Sequence, residues 1–190
     1  MDNHPSRRAV SLSLAAAAAS LAAGPAFAQN SYSENEVVNE ANEFLDASAE
    51  AVSDVVRHVF SEYGEPVGFI KGREGGGAAG IGFRLGDGDM FFRHSTAPTR
   101  VFWRGPSIGI DAGGDAARVF TLIYNMTSTN QIFRRFPGVE GSAYFVGGVG
   151  VNYQRKDGVV LAPMRAGVGL RLGANVGYLA YSRRRNFFPF

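Results

Sequence analysis

From Val168 to Ala180 the even positions read Val168, Leu170, Leu172, Ala174, Val176, Tyr178 and Ala180, while Gly167, Gly169, Arg171, Gly173, Asn175 and Gly177 fall between them. A period of two over this length predicts a strand with one buried face, and no helical period fits it. Apolar residues alternate with glycine in the same way through much of Gly141 to Ser182. Glycine inside a strand weakens it, so its repetition on one face predicts a sheet that bends and closes on itself.

Further strands are predicted over Val67–Lys71, Ala78–Leu85, Asp89–Arg93, Arg100–Arg104, Ser107–Asp111, Arg118–Met126, Ser142–Gln154, Val159–Pro163 and Ala166–Ser182, with breaks at glycines such as Gly147-Gly148. Gly86-Asp87-Gly88 and Asp157-Gly158 carry the residues of hairpin turns. Thr129 to Phe136 predicts one short helix, stopped by Pro137-Gly138. Strand following strand without long helices between them predicts a mainly β fold, a small antiparallel β-barrel. About eight strands would close around a filled interior or one small ligand.

One long helix is predicted ahead of the barrel. Ser33 and Glu36 form a capping box, and Val37, Val38, Ala41, Phe44, Leu45, Ala49, Val52, Val55, Val56, Val59 and Phe60 recur at spacings of three and four. Gly64 and Pro66 end it. Its polar face is acidic, which suits packing on the barrel or across its mouth better than lying on an anionic membrane. His58 reads as a surface or helix-end residue.

Before the helix, Arg7-Arg8, the alanine-rich run Ala9 to Ala23 and Ala26-Phe27-Ala28 have the order of an export signal. Cleavage is expected between Ala28 and Gln29. The expected organisation is therefore a signal peptide over residues 1–28, the acidic amphipathic helix over 29–65 and the glycine-rich barrel over 66–190. The expected compartment is the periplasm, by the Sec route or, given the paired arginines, the twin-arginine route.

Charge divides along the chain. Glu34 to Glu65 holds nine acids and one base, net −8, whereas Pro66 to Phe190 holds sixteen bases and seven acids, net +9. Either the two parts neutralise each other, or the uncovered arginines meet an anionic envelope component such as a lipid head group or lipopolysaccharide. The absence of cysteine removes disulfides, thiolate metal sites and cysteine nucleophiles.

Candidate chemistry is sparse. Asp111 and Asp115, with Glu140, have the oxygen ligands of a hard-cation site but not the spacing of a dedicated calcium loop, and Asp and Gly are ordinary turn residues. Asp87 and Asp89 read as turn residues in the same way. His58 and His94 sit in no hydrolase motif, and Gly75-Gly76-Gly77 lacks the lysine of a phosphate loop. The expectation is no enzyme, no cofactor and no metal. The tail Arg183 to Phe190 reads as a strap packing Phe187, Phe188 and Phe190 on the body. An outer-membrane barrel is the distant alternative, opposed by Pro189 and by Arg184 in register with Phe190.

Several segments together resemble the envelope integrity protein A family: Val101 to Gly109, Asp111 to Asp115, Arg135 to Gly141, Val146 to Tyr153 and Gly167 to Tyr178. The resemblance implies a soluble periplasmic β-barrel contributing to cell-envelope integrity, and supplies no catalytic residues. Ser107–Gly114 and Gly141–Val151 are also similar to the glycine-rich strands of SYLF lipid-binding domains, a fold-level analogy.

Two mechanisms stay open at this stage. In one, a lipid or other amphiphile, such as a lipopolysaccharide component, is lined by Val168, Leu170, Leu172, Val176 and Tyr178, with its head group met by Arg165, Arg171, Arg183, Arg184 and Arg185. In the other, the barrel is filled and the protein serves as a structural element or engages an envelope protein partner. Nucleic acid is not an expected partner.

Overall fold

The computed structural model describes residues 30–77, 79–110, 117–166 and 177–185. The expected helix is two helices, α1 (Glu34–Phe44) and α2 (Ala49–Tyr63). The capping box at Ser33 and Glu36 forms as the sequence predicts, but Leu45 leaves the helix with extended backbone. Ser48 then starts α2 by accepting the Ala51 N–H. The apolar stripe crosses this break undisturbed, so periodicity alone joins the two segments.

Among the described residues ten strands form one antiparallel sheet: β1 (Gly68–Gly77), β2 (Ala79–Phe92), β3 (Thr99–Ile110), β4 (Ala117–Tyr124), β5 (Arg135–Pro137), β6 (Tyr144–Val146), β7 (Val149–Val151), β8 (Gln154–Lys156), β9 (Val159–Ala166) and β10 (Tyr178–Ser182). The order is β5-β10-β3-β2-β1-β4-β9-β7-β6, with β8 added beside β9. The sheet curls into a half-barrel. Gly138, just past β5, makes an antiparallel bridge to Gln154 of β8, and the Val139 N–H donates to the Tyr153 carbonyl at 2.9 Å.

The Asp157-Gly158 turn joins β8 to β9 with both residues at positive φ, 48° and 82°. Gly147-Gly148 likewise breaks the predicted Ser142–Gln154 strand, at the turn between β6 and β7. Gly86-Asp87-Gly88, by contrast, is no turn. It lies inside β2, paired to Glu74, Arg73 and Gly72 of β1, so two predicted strands are one. The predicted strands around Gly105-Pro106 also merge, into β3. Pro106 is tolerated because the β10 ladder ends at Arg104, and Pro163 of β9 falls between the ladders of β8 and β7. The predicted helix after Thr129 is a 3-10 turn, Thr129–Ile132, followed by β5.

The strand alternation produces two cores. On the convex side, Val37, Ala41, Val52, Val55, Val56 and Val59 of the helices pack on Phe69, Phe120, Leu122, Tyr124, Val160 and Met164. On the concave side, Ile70, Met90, Val101, Trp103, Val119, Ile123, Leu161, Leu179 and Tyr181 meet one another. β4 is therefore buried on both faces over Val119 to Tyr124. Helix–sheet charges also match. Glu36 pairs with Arg93 at 2.8 Å, Glu40 with Lys71, and Arg118 donates to the Phe44 carbonyl at 3.0 Å. The acidic helical segment thus neutralises part of the basic sheet beneath it.

Candidate functional site

A charged cluster lies within the concave core. Period-two alternation along β1 puts Ile70, Gly72 and Glu74 on the inner face, and Glu74 is 6% exposed. Arg165, at the end of β9, donates from Nε to Glu74 Oε1 at 2.9 Å and from Nη2 to Oε2 at 3.3 Å. Its Nη1 donates to Asn152 Oδ1 at 2.9 Å. Arg84 of β2 approaches Glu74 Oε1 at 3.2 Å, and the Trp103 indole N–H donates to Oε2 at 2.8 Å. Burial alone would raise the Glu74 carboxyl pKa. The Arg165 and Arg84 charges, with hydrogen bonds from Arg165 and Trp103, outweigh that effect and hold it below the usual carboxylate range. The cluster has the make-up of an internal clamp: it joins β1, β2, β3 and β9 through one carboxylate.

Trp103 explains several glycines. A Cβ on Gly72 or Gly86 would collide with its ring, so the indole lies against bare backbone of β1 and β2. Tyr181 packs beside it at 6.0 Å and Phe136 meets Tyr181 edge-on at 5.8 Å. The signal for this arrangement was present in the sequence as the single tryptophan and the inward register of Glu74, but sequence reasoning missed it.

The predicted site residues disperse. Val168, Leu170, Leu172, Val176 and Arg171 lie outside the described residues, as do Ala28 and Gln29 of the cleavage site, Asp111, Asp115, and the tail phenylalanines Phe187, Phe188 and Phe190. Tyr178 opens β10, where the Arg135 guanidinium sits 4.8 Å from its ring centre. Arg165, expected at a rim to meet a head group, is instead 6% exposed and committed to Glu74 and Asn152. Arg183 stacks on Phe133 at 4.2 Å and donates to Asn130. Arg184 is exposed, its carbonyl accepting from Ser182 Oγ at 2.8 Å. Arg185 donates to Asp87 Oδ1 at 3.1 Å and lies over Phe102.

Asp87 and Asp89 are strand residues rather than turn residues. Both pair with Arg100, Asp89 at 3.2 Å. Glu140 is exposed, and no group of three or more metal-binding side chains occurs among the described residues. His58 lies partly exposed, stacked on Tyr144 at 3.8 Å and 3.3 Å from Glu62.

A second arrangement therefore stands out, on the convex face of β2, β3, β10 and β5 beyond the helices. Arg100 and Arg185 flank the Phe102 ring, each 5.7 Å from its centre, and Arg135–Tyr178 repeats the pairing on β5 and β10, whereas Phe133, under Arg183, packs against the concave core. Beside Phe102 and Arg185 a half-open cavity of about 340 Å³ is lined by Leu85, Asp87, Phe102, Trp103, Arg104, Ser182 and Arg185 over Gly75, Gly76 and Gly86. Basic groups beside apolar rings suit an anionic ligand that carries some apolar surface.

No curated protein matches the chain. Its fold is similar to a crystal structure described as a β-barrel-like protein from Brucella abortus, with 37% identity, a TM-score of 0.76, and coverage of 85% of this chain and 99% of that one. A family model for Envelope integrity protein A matches residues 30–190, which takes in both cores, the charged cluster and the basic-aromatic face. The chain belongs to the Envelope integrity protein A family.

Proposed function

We propose that the protein is exported to the periplasm and contributes to cell-envelope integrity as a non-catalytic element that binds through the outside of its barrel. The single observation carrying this reading is the close packing of the concave side among the described residues. Ile70, Met90, Ile123, Phe136 and Leu161 are each no more than 1% exposed there, and Glu74 and Arg165, each 6% exposed, pair with one another at 2.9 Å. An amphiphile, whether lipid or lipopolysaccharide component, is better accommodated on the helix-free convex face, where arginines and aromatic rings alternate. Family membership supports the envelope role, and the Arg7-Arg8, alanine-run and Ala-x-Ala pattern supports export.

The same packing favours a second reading, in which that face engages an envelope protein and no small ligand. Export and role are tested together in cells lacking the gene. The full chain is expected to restore resistance to detergent and to yield a periplasmic protein whose intact mass begins at Gln29. A chain without residues 1–28 is expected to restore nothing. Rescue by the leaderless chain would overturn the periplasmic reading.

A further inference from the structure

The cavity beside β10 holds an unusual cation. Arg104 lies on β3, paired in register with Leu85 of β2 and Ala180 of β10. Its Nε is buried and has no hydrogen-bond partner among the described residues, and Arg104 makes no ion pair there. A buried guanidinium N–H without an acceptor is costly, and native proteins rarely leave one so. Its neighbours differ. Asp87 lines the same cavity but is already held by Arg100 and Arg185, so the carboxylate that could serve Arg104 is occupied.

The cavity around Arg104 is shaped for something besides water. Leu85 and Phe102 provide apolar walls, and Gly75 and Gly76 a floor without side chains. At Gly75 a Cβ would meet nothing within 4 Å, so this glycine is not required by packing. Gly72, Gly86 and Gly88 of β1 and β2, by contrast, are explained by Trp103 or by close backbone. Gly75 serves no such purpose, and it keeps the cavity open. A volume of about 340 Å³ is near the lower end of small-molecule sites, roughly 300–1,000 Å³. It fits a head group with its first few carbons rather than a whole acyl chain.

We infer that this cavity is a binding site for an oxyanion, phosphate or carboxylate, attached to a short apolar segment, with Arg104 meeting the anion, Arg185 at the lip, and Leu85 and Phe102 meeting the apolar part. This inference rests on the outward-binding reading above and assigns it a place and a ligand chemistry. The salt links of Asp87 hold Arg185 at the lip without using Arg104, so among the described residues the Arg104 Nε–H is left for the incoming anion.

The test is isothermal titration of the mature protein with octyl phosphate, octanoate, octanol and inorganic phosphate. Saturable 1:1 binding of octyl phosphate or octanoate is expected, and the comparison of the two identifies which oxyanion the site takes. Octanol and inorganic phosphate are expected to bind at least tenfold more weakly than the better amphiphile. Arg104→Gln should weaken that ligand at least tenfold, and Gly75→Val should abolish its binding while leaving the thermal midpoint unchanged. Absence of 1:1 binding by either amphiphile, or equal binding by wild type and Gly75→Val, would overturn the inference. Those outcomes are separable from failure of the envelope role: a protein that restores detergent resistance from the periplasm but binds neither amphiphile loses only this site. A protein that binds but rescues without export loses only the periplasmic reading.

Discussion

The Trp103 ring lies against the backbone of Gly86 so closely that a Cβ there would fall inside the indole. The same ring donates its N–H to Glu74 at 2.8 Å, so its position bears on both Gly86 and the hydrogen bonding of the buried carboxylate. Gly86→Ala must displace the ring and strain or break that bond. Overpacking and a lost bond to a charged group together predict a loss of about 2–4 kcal/mol. Trp103 is the single tryptophan, so its emission reports the displacement directly and should shift to longer wavelength. Gly75→Ala, with open space at its Cβ, should leave both stability and emission as they are.

The charged cluster should be strongly coupled. Glu74→Gln leaves Arg165 buried without its counter-charge, a loss of about 3–5 kcal/mol for a buried pair broken on one side. Arg165→Met strands the carboxylate less completely, because the partly exposed Arg84 still reaches it at 3.2 Å. The double variant Glu74→Gln/Arg165→Met should be markedly less destabilised than the sum of the two. Additive losses in chemical denaturation would show that the two side chains do not act as a unit.

Acid should release the helix pair before the barrel. Glu36 accepts the Ser33 N–H and pairs with Arg93, which together lower its pKa from 4.5 to about 2. Because the folded value is the lower one, these contacts stabilise fully above pH 4.5 and are lost as the pH falls towards about 2. The thermal midpoint of wild type should therefore exceed that of Glu36→Gln at pH 6, and the gap should close near pH 2. A gap of constant size across this range would rule out the linkage.

Helix docking gives a graded prediction. Phe44 is only partly buried and meets Phe120 at 6.5 Å, so Phe44→Ala should cost less than the about 3–5 kcal/mol of a fully packed phenylalanine. Val56 is completely buried between α2 and the sheet, and Val56→Asp, which buries an unpaired charge, should be the more damaging change. Melts that rank the two in the opposite order would mean the helices are not seated as described.

Much of this architecture was legible from spacing alone. The period-two runs point to an antiparallel curled sheet, Asp157-Gly158 to its turn, and the stripe from Val37 to Phe60 to a helical layer on the sheet or across its mouth, of which the structure shows the first. What spacing could not give were features decided by distant partners. Gly86-Asp87-Gly88 has the chemistry of a turn, yet these residues continue a strand because Trp103, on the neighbouring strand, needs bare backbone beneath it. The break at Leu45 to Ser48 interrupts the helix without interrupting its apolar stripe. Arg165 reads from the sequence as a rim contact for a head group, and only the register of β9 against β4, and of β4 against β1, carries it inward to Glu74. The unpartnered Arg104 Nε was hidden for the same reason: among the described residues, Asp87, which lines the same cavity, is taken by Arg100 and Arg185.

Our proposal is that the protein serves the envelope through its helix-free outer face. It is tested most directly by expressing an exported Arg104→Gln/Arg184→Gln/Arg185→Gln variant in cells lacking the gene and measuring survival in detergent. At periplasmic abundance equal to wild type and with an unchanged thermal midpoint, the variant is predicted to leave the cells as sensitive as those with no copy. Full restoration of resistance by the same folded, exported variant would contradict the claim.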